Sequence, residues 1–437
     1  MPKPIVAIVG RPNVGKSTLF NKLARKRISI VEDVPGVTRD RIYTDAEWQK
    51  HKFTMVDTGG LDPDSDDIFF QNMMNQAMFA METADVILFV ADVKTGITSA
   101  DAKVADILRR TKKPVVLAVN KVDDMVKSRD EAYEFYSLGL GDPIPISAGQ
   151  LLGLGDLLDE ICKHFPSGEE DDDNEVIKVA IAGKPNVGKS SLLNRILGEE
   201  RSIVSPIPGT TRDAVDGFFE INGQMYQFVD TAGIRKKSKI KENIERYSII
   251  RALAAVERCD VCLILIDAVE GISEQDSKIA GFAHDRGKGA IVITNKWDAI
   301  EKDNDTMKKH RADIDRELGF MQYAPKMFIS AKTGQRVENI YSTIYAVAQN
   351  STMRIPTGVL NDTLIEAMSI TPPPADRGRA PKVYYATQVS VKPPTFVLFV
   401  NDSELMHYSY LRFLENQLRS AFGFMGTPIR ILMRNRE

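Results

Sequence analysis

Gly10, Arg11, Pro12, Asn13, Val14, Gly15, Lys16 and Ser17 read GxxxxGK(S/T). That spacing suits a loop whose backbone N–H groups wrap phosphates. The lysine would reach the terminal phosphates, and the Ser17 hydroxyl would take Mg²⁺. Gly183, Lys184, Pro185, Asn186, Val187, Gly188, Lys189 and Ser190 repeat the pattern. Each copy follows an apolar run, IVAIV or VAIA, and opens a helix-forming segment. The helix N-terminus adds a dipole favourable to anions.

Three more motifs follow each loop in the same order. Thr38 and Thr211 sit in PGVTRD and PGTTRD. Asp57, Thr58, Gly59, Gly60 and Leu61 are answered by Asp230, Thr231, Ala232, Gly233 and Ile234. A carboxylate at a strand end near the phosphate loop suits Mg²⁺ through water. The expected Mg²⁺ sets are therefore Ser17, Thr38 and Asp57, and Ser190, Thr211 and Asp230. The two threonines would join them only when a γ-phosphate is present, an order–disorder switch. Asn120, Lys121, Val122 and Asp123, and then Asn295, Lys296, Trp297 and Asp298, read NKxD. Its aspartate can accept from guanine N1–H and the exocyclic amine. Adenine would leave that carboxylate unpaired, so discrimination should be strong. Ser147 with Ala148, and Ser330 with Ala331, are expected to offer backbone N–H groups to guanine O6.

Elements must hold these motifs in place. IVAIVG, FTMVDT, VILFVAD and VVLAVN are continuous β-branched runs, as in strands covered on both faces. Helical segments alternate with them, which predicts an α/β fold with a mostly parallel, doubly wound sheet. Five motifs recurring in one order mean that one globular unit is copied once. The expected plan is a GTPase domain over 1–166, an acidic linker over 167–174 and a second GTPase domain over 175–352. The linker reading rests on PSGEEDDDNE, a like-charged run that buries nothing.

Residues 353–437 change character. LIEAM reads as a short helix, KVYYATQVSV and TFVLFVND as paired strands around a Pro-Pro turn, and YSYLRFLENQLRSAF as an amphipathic helix before a last strand. This α-β-β-α-β order resembles a KH-like domain. Such domains clamp RNA with a GxxG loop between helices. Gly423 and Gly426 have that spacing but precede a strand, so they read as a helix cap and turn. Packing against the GTPase domains is the alternative to RNA contact.

With 437 residues and a net charge of −3, the chain carries no global signature of nucleic-acid binding. No apolar run approaches the roughly 20 residues of a membrane span. The N-terminus leads straight into the phosphate loop rather than reading as a signal peptide, so a cytoplasmic protein is expected. Three cysteines, with Cys259 and Cys262 opposite Ala84 and Ile87 of the first copy, suggest packing residues in a reduced protein.

The two-copy arrangement with a C-terminal extension resembles the double-Era GTPase family, Der or EngA, over the whole chain. The resemblance implies a GTP-hydrolysing switch that acts in assembly of the large ribosomal subunit. Its partners would be GTP or GDP and the subunit with its rRNA, with no membrane, and the chain would act as a monomer. Related readings are a GTP-dependent RNA-modification or translation factor, and a scaffold with one non-hydrolysing site. Many GTPases orient water with a glutamine just after DxxG. Leu61 and Ile234 stand there, so slow intrinsic turnover is expected. In similar K⁺-stimulated GTPases an asparagine in the phosphate loop helps hold K⁺. Asn13 and Asn186 occupy that place, either as K⁺ ligands or as supports of their own loops. After DxxG the first copy is acidic, LDPDSDD, and the second basic, IRKKSKIKE. Arg235, Lys236, Lys237, Lys239 and Lys241 either meet rRNA or an acidic protein face, or form a solvated loop.

Overall fold

The computed structural model describes residues 3–25, 43–58, 74–123 apart from 75, 79 and 82, 129–165, 176–198, 217–221, 223–229, 244–374 and 379–435. The chain divides into two compact units, Met1–Asp171 and Asp172–Glu437. The expected linker lies outside the described residues.

The first unit holds a six-stranded sheet in the order β2-β3-β1-β4-β5-β6. Its strands are β1 (Ile5–Val9), β2 (Tyr43–Trp48), β3 (His51–Asp57), β4 (Val86–Asp92), β5 (Val115–Asn120) and β6 (Ile144–Pro145). Only β2 runs antiparallel, at the edge beside β3. β1 pairs in parallel with β3 on one side and β4 on the other. Every residue of β1 and β4 is buried, which explains their uninterrupted apolar sequence. Each buried aliphatic side chain there stabilises the fold by about 1.5–3 kcal/mol. Helices α1 (Lys16–Arg25), α2 (Ser99–Leu108) and α3 (Leu154–Lys163) cover the sheet. α2 starts at a capping box in which Thr98 and Asp101 satisfy each other's backbone N–H groups.

The second unit repeats this sheet as β12-β11-β10-β7-β9-β8, the same order under the duplication. The strands are β7 (Val176–Ala182), β8 (Gly217–Ile221), β9 (Gln224–Phe228), β10 (Val261–Asp267), β11 (Gly289–Asn295) and β12 (Lys326–Phe328). Its helices include α4 (Lys189–Leu197), α5 (Ile244–Arg258), α6 (Glu274–Asp285), α7 (Thr306–Glu317) and α8 (Asn339–Thr352). A second capping box, Ser273 with Asp276, starts α6. Cys259 and Cys262 lie in the apolar core between the sheet and its helices. A hydrogen bond donated to Cys259 and burial raise the Cys262 thiol well above its ordinary pKa, so it packs rather than reacts.

The same unit ends in a three-stranded sheet, β13 (Val383–Ser390), β14 (Thr395–Val400) and β15 (Arg430–Asn435), with β14 central. β13 is antiparallel and β15 parallel to it. Helices α9 (Thr357–Ile370) and α10 (Tyr408–Phe422) pack on one face through Leu360, Leu364, Leu414 and Leu418. The α-β-β-α-β order is as expected, but the first helix is far longer than LIEAM. Leu360, Leu364 and Ala367 are its buried stripe, while Val359, Ile365 and Ile370 are exposed, so apolar residues on both faces hide its period and its length.

The GxxG-spaced turn behaves as a cap and a dock. Gly423 closes α10, its N–H donating to Arg419 O at 2.8 Å. Gly426 N–H donates to Tyr323 O at 2.8 Å, and its carbonyl accepts from Ala290 N–H at 2.7 Å. Asn350 Nδ2 donates to Met425 O at 2.9 Å. This turn is thus committed to the preceding GTPase-like sheet and its helices.

Candidate nucleotide sites

The motifs collect at the carboxyl ends of β1, β3, β4 and β5, where doubly wound sheets bind ligands. Between β1 and α1, Asn13 has φ 65° and Gly15 φ 96°. Asparagine and glycine are the types that tolerate this left-handed region. A Cβ on Gly15 would stand 2.3 Å from Asn120 Nδ2, and one on Gly10 2.3 Å from Val90 O. No larger residue fits either place. Asn186 repeats the left-handed backbone at φ 64°, so loop geometry by itself accounts for asparagine at both positions.

Lys16 is buried inside the loop it follows. Its Nζ donates to Gly10 O at 2.6 Å and Arg11 O at 2.8 Å. Burial lowers its pKa from 10.5 to about 8, against the opposing pull of Asp57. Lys189 matches it, donating to Gly183 O and Lys184 O at 2.7 Å each, and burial again brings the pKa to about 8. Ser17 Oγ donates to Asp57 Oδ2 at 2.7 Å. These hard oxygen donors, side by side at a strand end, are of the type that suits Mg²⁺. Ser190 stands at the matching place on α4. Thr58 Oγ1 donates to Ile8 O at 2.5 Å, locking the end of β3 against β1.

The NKxD asparagines do structural work at both sites. Asn120, almost fully buried, donates from Nδ2 to Val14 O at 2.7 Å and accepts from Ala148 N–H at 2.9 Å. Asn295 makes the same pair, to Val187 O at 2.8 Å and from Ala331 N–H at 2.9 Å. One amide thereby ties the phosphate loop, the NKxD strand and the Ser-Ala loop together. The amides expected to face guanine O6 are already donated. Ala148 and Ala331 serve the asparagines, Ser147 N–H goes to Leu152 O, and Ser330 N–H goes to Gln335 O.

Ser147 Oγ donates to Asp123 Oδ1 at 2.9 Å, and Ser330 Oγ to Asp298 Oδ1 at 2.6 Å. The serines orient the two exposed carboxylates. In the first copy Lys94 Nζ also lies 2.6 Å from Asp123 Oδ2, and this pair leads the causes that lower the Asp123 pKa. Val269, 64% exposed, takes the corresponding place in the second copy, so the two carboxylates differ in surroundings. Val122 and Trp297 are buried and donate their N–H groups to Ile146 O and Ile329 O. Arg11 pairs with Asp101, and Lys184 with Glu270 at 2.6 Å. Val14 and Val187 pack into the cores, and Pro12 and Pro185 lie in the loops between.

Asp92 and Asp267, absent from the expected site residues, complete the frame. Lys121 and Lys296, with left-handed φ of 67° and 62°, place Nζ 2.6 Å from Asp92 and 2.5 Å from Asp267. These aspartates end β4 and β10. Their signal was present as DVKTG and DAVEG, a further motif shared by the copies. Thr38, Gly59, Gly60, Leu61, Thr211, Asp230, Thr231, Ala232, Gly233, Ile234 and the basic run Arg235–Lys241 lie outside the described residues.

Comparison with known proteins fits this duplicated geometry. Residues 5–121 and 178–296 each match the family described as 50S ribosome-binding GTPase. Residues 354–434 match the KH-domain-like region of EngA bacterial GTPase enzymes, C-terminal. A GTPase Der of Acetivibrio thermocellus is 61% identical over 438 residues, covering 100% of both chains. The chain belongs to the GTPase Der family. A second Der protein, from Agathobacter rectalis, is 59% identical and covers 100% of this chain and 99% of its own. Among solved structures, an Aquifex aeolicus Era variant bound to GDP.AlF4- is 26% identical, with a TM-score of 0.31, over 60% of this chain and 93% of that one. This Der-family chain is therefore a GTP-binding, GTP-hydrolysing protein with two P-loop GTPase domains and a KH-like C-terminal domain. Among the described residues no helix is long and apolar enough to cross a membrane.

Proposed function

We propose that this GTPase uses both guanine sites as coupled switches in assembly of the large ribosomal subunit. The observation that carries the reading is the twin frame: Asn120 and Asn295 make the same two buried hydrogen bonds in both copies. Both halves thus build one pocket type, and the family name of the phosphate-loop domains points to the 50S particle.

In each pocket the loop N–H groups and Lys16 or Lys189 bind the phosphates. Asp123 and Asp298 read guanine, with Ser147 and Ser330 holding the carboxylates. Ser17 and Asp57, joined by Thr38 once GTP is bound, would hold Mg²⁺, and Ser190, Asp230 and Thr211 would do so in the second copy. Mg²⁺ held there would supply positive charge against the phosphates. With Leu61 and Ile234 after DxxG, no side chain there orients the attacking water, so unassisted turnover is slow. Asn13 and Asn186 are the places where K⁺ would raise it. The chain works as a cytoplasmic monomer, with domains at 1–166, 175–352 and 353–437 around a linker at 167–174.

Cosedimentation with large ribosomal subunits tests the reading. Binding should change between a GTP analogue, GDP and no nucleotide. Equal pelleting in all three states, or none in any, would remove the ribosomal switch.

A further inference from the structure

We propose that the outer face of the C-terminal three-stranded sheet is a stacking surface for single-stranded RNA. The choice of polymer rests on the ribosome-assembly reading above; the surface itself rests on register, exposure and charge.

Across the sheet, Tyr385 lies opposite Phe399, and Phe399 opposite Arg434. The next row is Thr387, Val397 and Leu432. Residues between these rows, Ala386, Phe396 and Leu398, enter the helix-covered core, so the rows face away from it. The Tyr385 and Phe399 rings stack with centroids 4.3 Å apart and planes at 15°. Tyr385 is 44% exposed and Leu432 51%. Stacking covers one face of each ring, so Tyr385, the more exposed of the two, keeps its other face clear of Phe399; sheet-based RNA modules stack unpaired bases on such aromatic faces.

Charge selects the same occupant. None of the three strands contains an aspartate or glutamate. Arg434 is exposed at one end of the ring row, and Lys382, just before β13, holds Nζ 5.4 Å above the Tyr384 ring. Phosphates of a strand whose bases meet Tyr385 would pass these cations. A duplex, with its bases already stacked on each other, offers no free face to the rings. The GxxG-spaced turn cannot supply this contact. Its Gly426 N–H and carbonyl are taken by Tyr323 and Ala290, and a Cβ there would stand 2.2 Å from Val347 Cγ2.

Fluorescence anisotropy with the full GDP-bound chain tests the surface. The probes are a short unstructured RNA and a hairpin duplex of equal length. The single strand should bind more tightly than the duplex. Tyr385→Ala should weaken it by about fivefold or more, since stacking of this size is typical per base. Tyr385→Phe should restore it, because the ring and not the hydroxyl does the stacking. Arg434→Glu should weaken it independently and flatten its salt dependence; that readout stands even if Tyr385→Ala lowers the melting temperature. Equal affinity of wild type and Tyr385→Ala, or of single strand and duplex, overturns the proposal. So does loss of ribosome binding by Tyr385→Ala with RNA affinity untouched, which would give the face to a protein. Tyr385-dependent RNA binding by a chain that ignores ribosomal subunits would sink the ribosomal reading and leave the surface standing.

Discussion

Burial sets the chemistry of the two phosphate-loop lysines. Each has its pKa lowered from 10.5 to about 8 because the ammonium is taken out of water. The unfolded chain keeps the ordinary value, so between about pH 8 and 10.5 it binds more protons than the empty folded chain. Stability of the nucleotide-free protein should rise with pH across that window. Nucleotide reverses the preference, because a polyphosphate favours the charged amine. Binding above about pH 8 must therefore take up a proton, and GDP affinity should fall by up to about tenfold per pH unit per site. Calorimetry in buffers of different ionisation heat reads that uptake. Affinity that stays flat from neutral pH into this window, with no proton taken up, would show that the empty loops already hold these lysines charged and that burial does not lower their pKa.

At the scale of elements, the turn joining α10 to β15 is the informative case. Gly426 has φ 76°, and its missing side chain is what lets the turn meet Val347 on α8. Gly426→Ala should cost about 1–3 kcal/mol of stability through overpacking and backbone strain. Urea unfolding measures it; a wild-type midpoint would mean that the contact is not held in solution. Glycine spacing alone does not separate an RNA clamp from a docking turn. The strand that follows Gly426, rather than a second helix, made that distinction legible. Other elements were legible for equally physical reasons. Gly10 and Gly15 are demanded by close approach, and β1 and β4 by burial on both faces. Asp92 and Asp267 were marked by the shared DVKTG and DAVEG, but nothing in that motif says which cation meets the carboxylate, so their pairing with the NKxD lysines was not legible. The engagement of Ala148 N–H with Asn120 was hidden as well, since backbone partners leave no mark on residue type. The length of α9 was obscured because exposed apolar residues, Val359, Ile365 and Ile370, blur the period of its three buried ones.

Over the whole molecule, one frame is built twice. Each copy ties its phosphate loop to its base loop through a single buried asparagine, and each buries one lysine between carbonyls. The copies are not interchangeable, since Lys94 stands beside Asp123 where Val269 stands in the second. Two guanine pockets in one chain are what this duplicated frame must provide. Titration of the nucleotide-stripped chain with GDP and with ADP tests this most directly. The prediction is two GDP bound per chain, one lost with Lys16→Ala and the other with Lys189→Ala, and negligible ADP at the same concentrations. A single GDP per wild-type chain, or ADP bound as tightly as GDP, would contradict it.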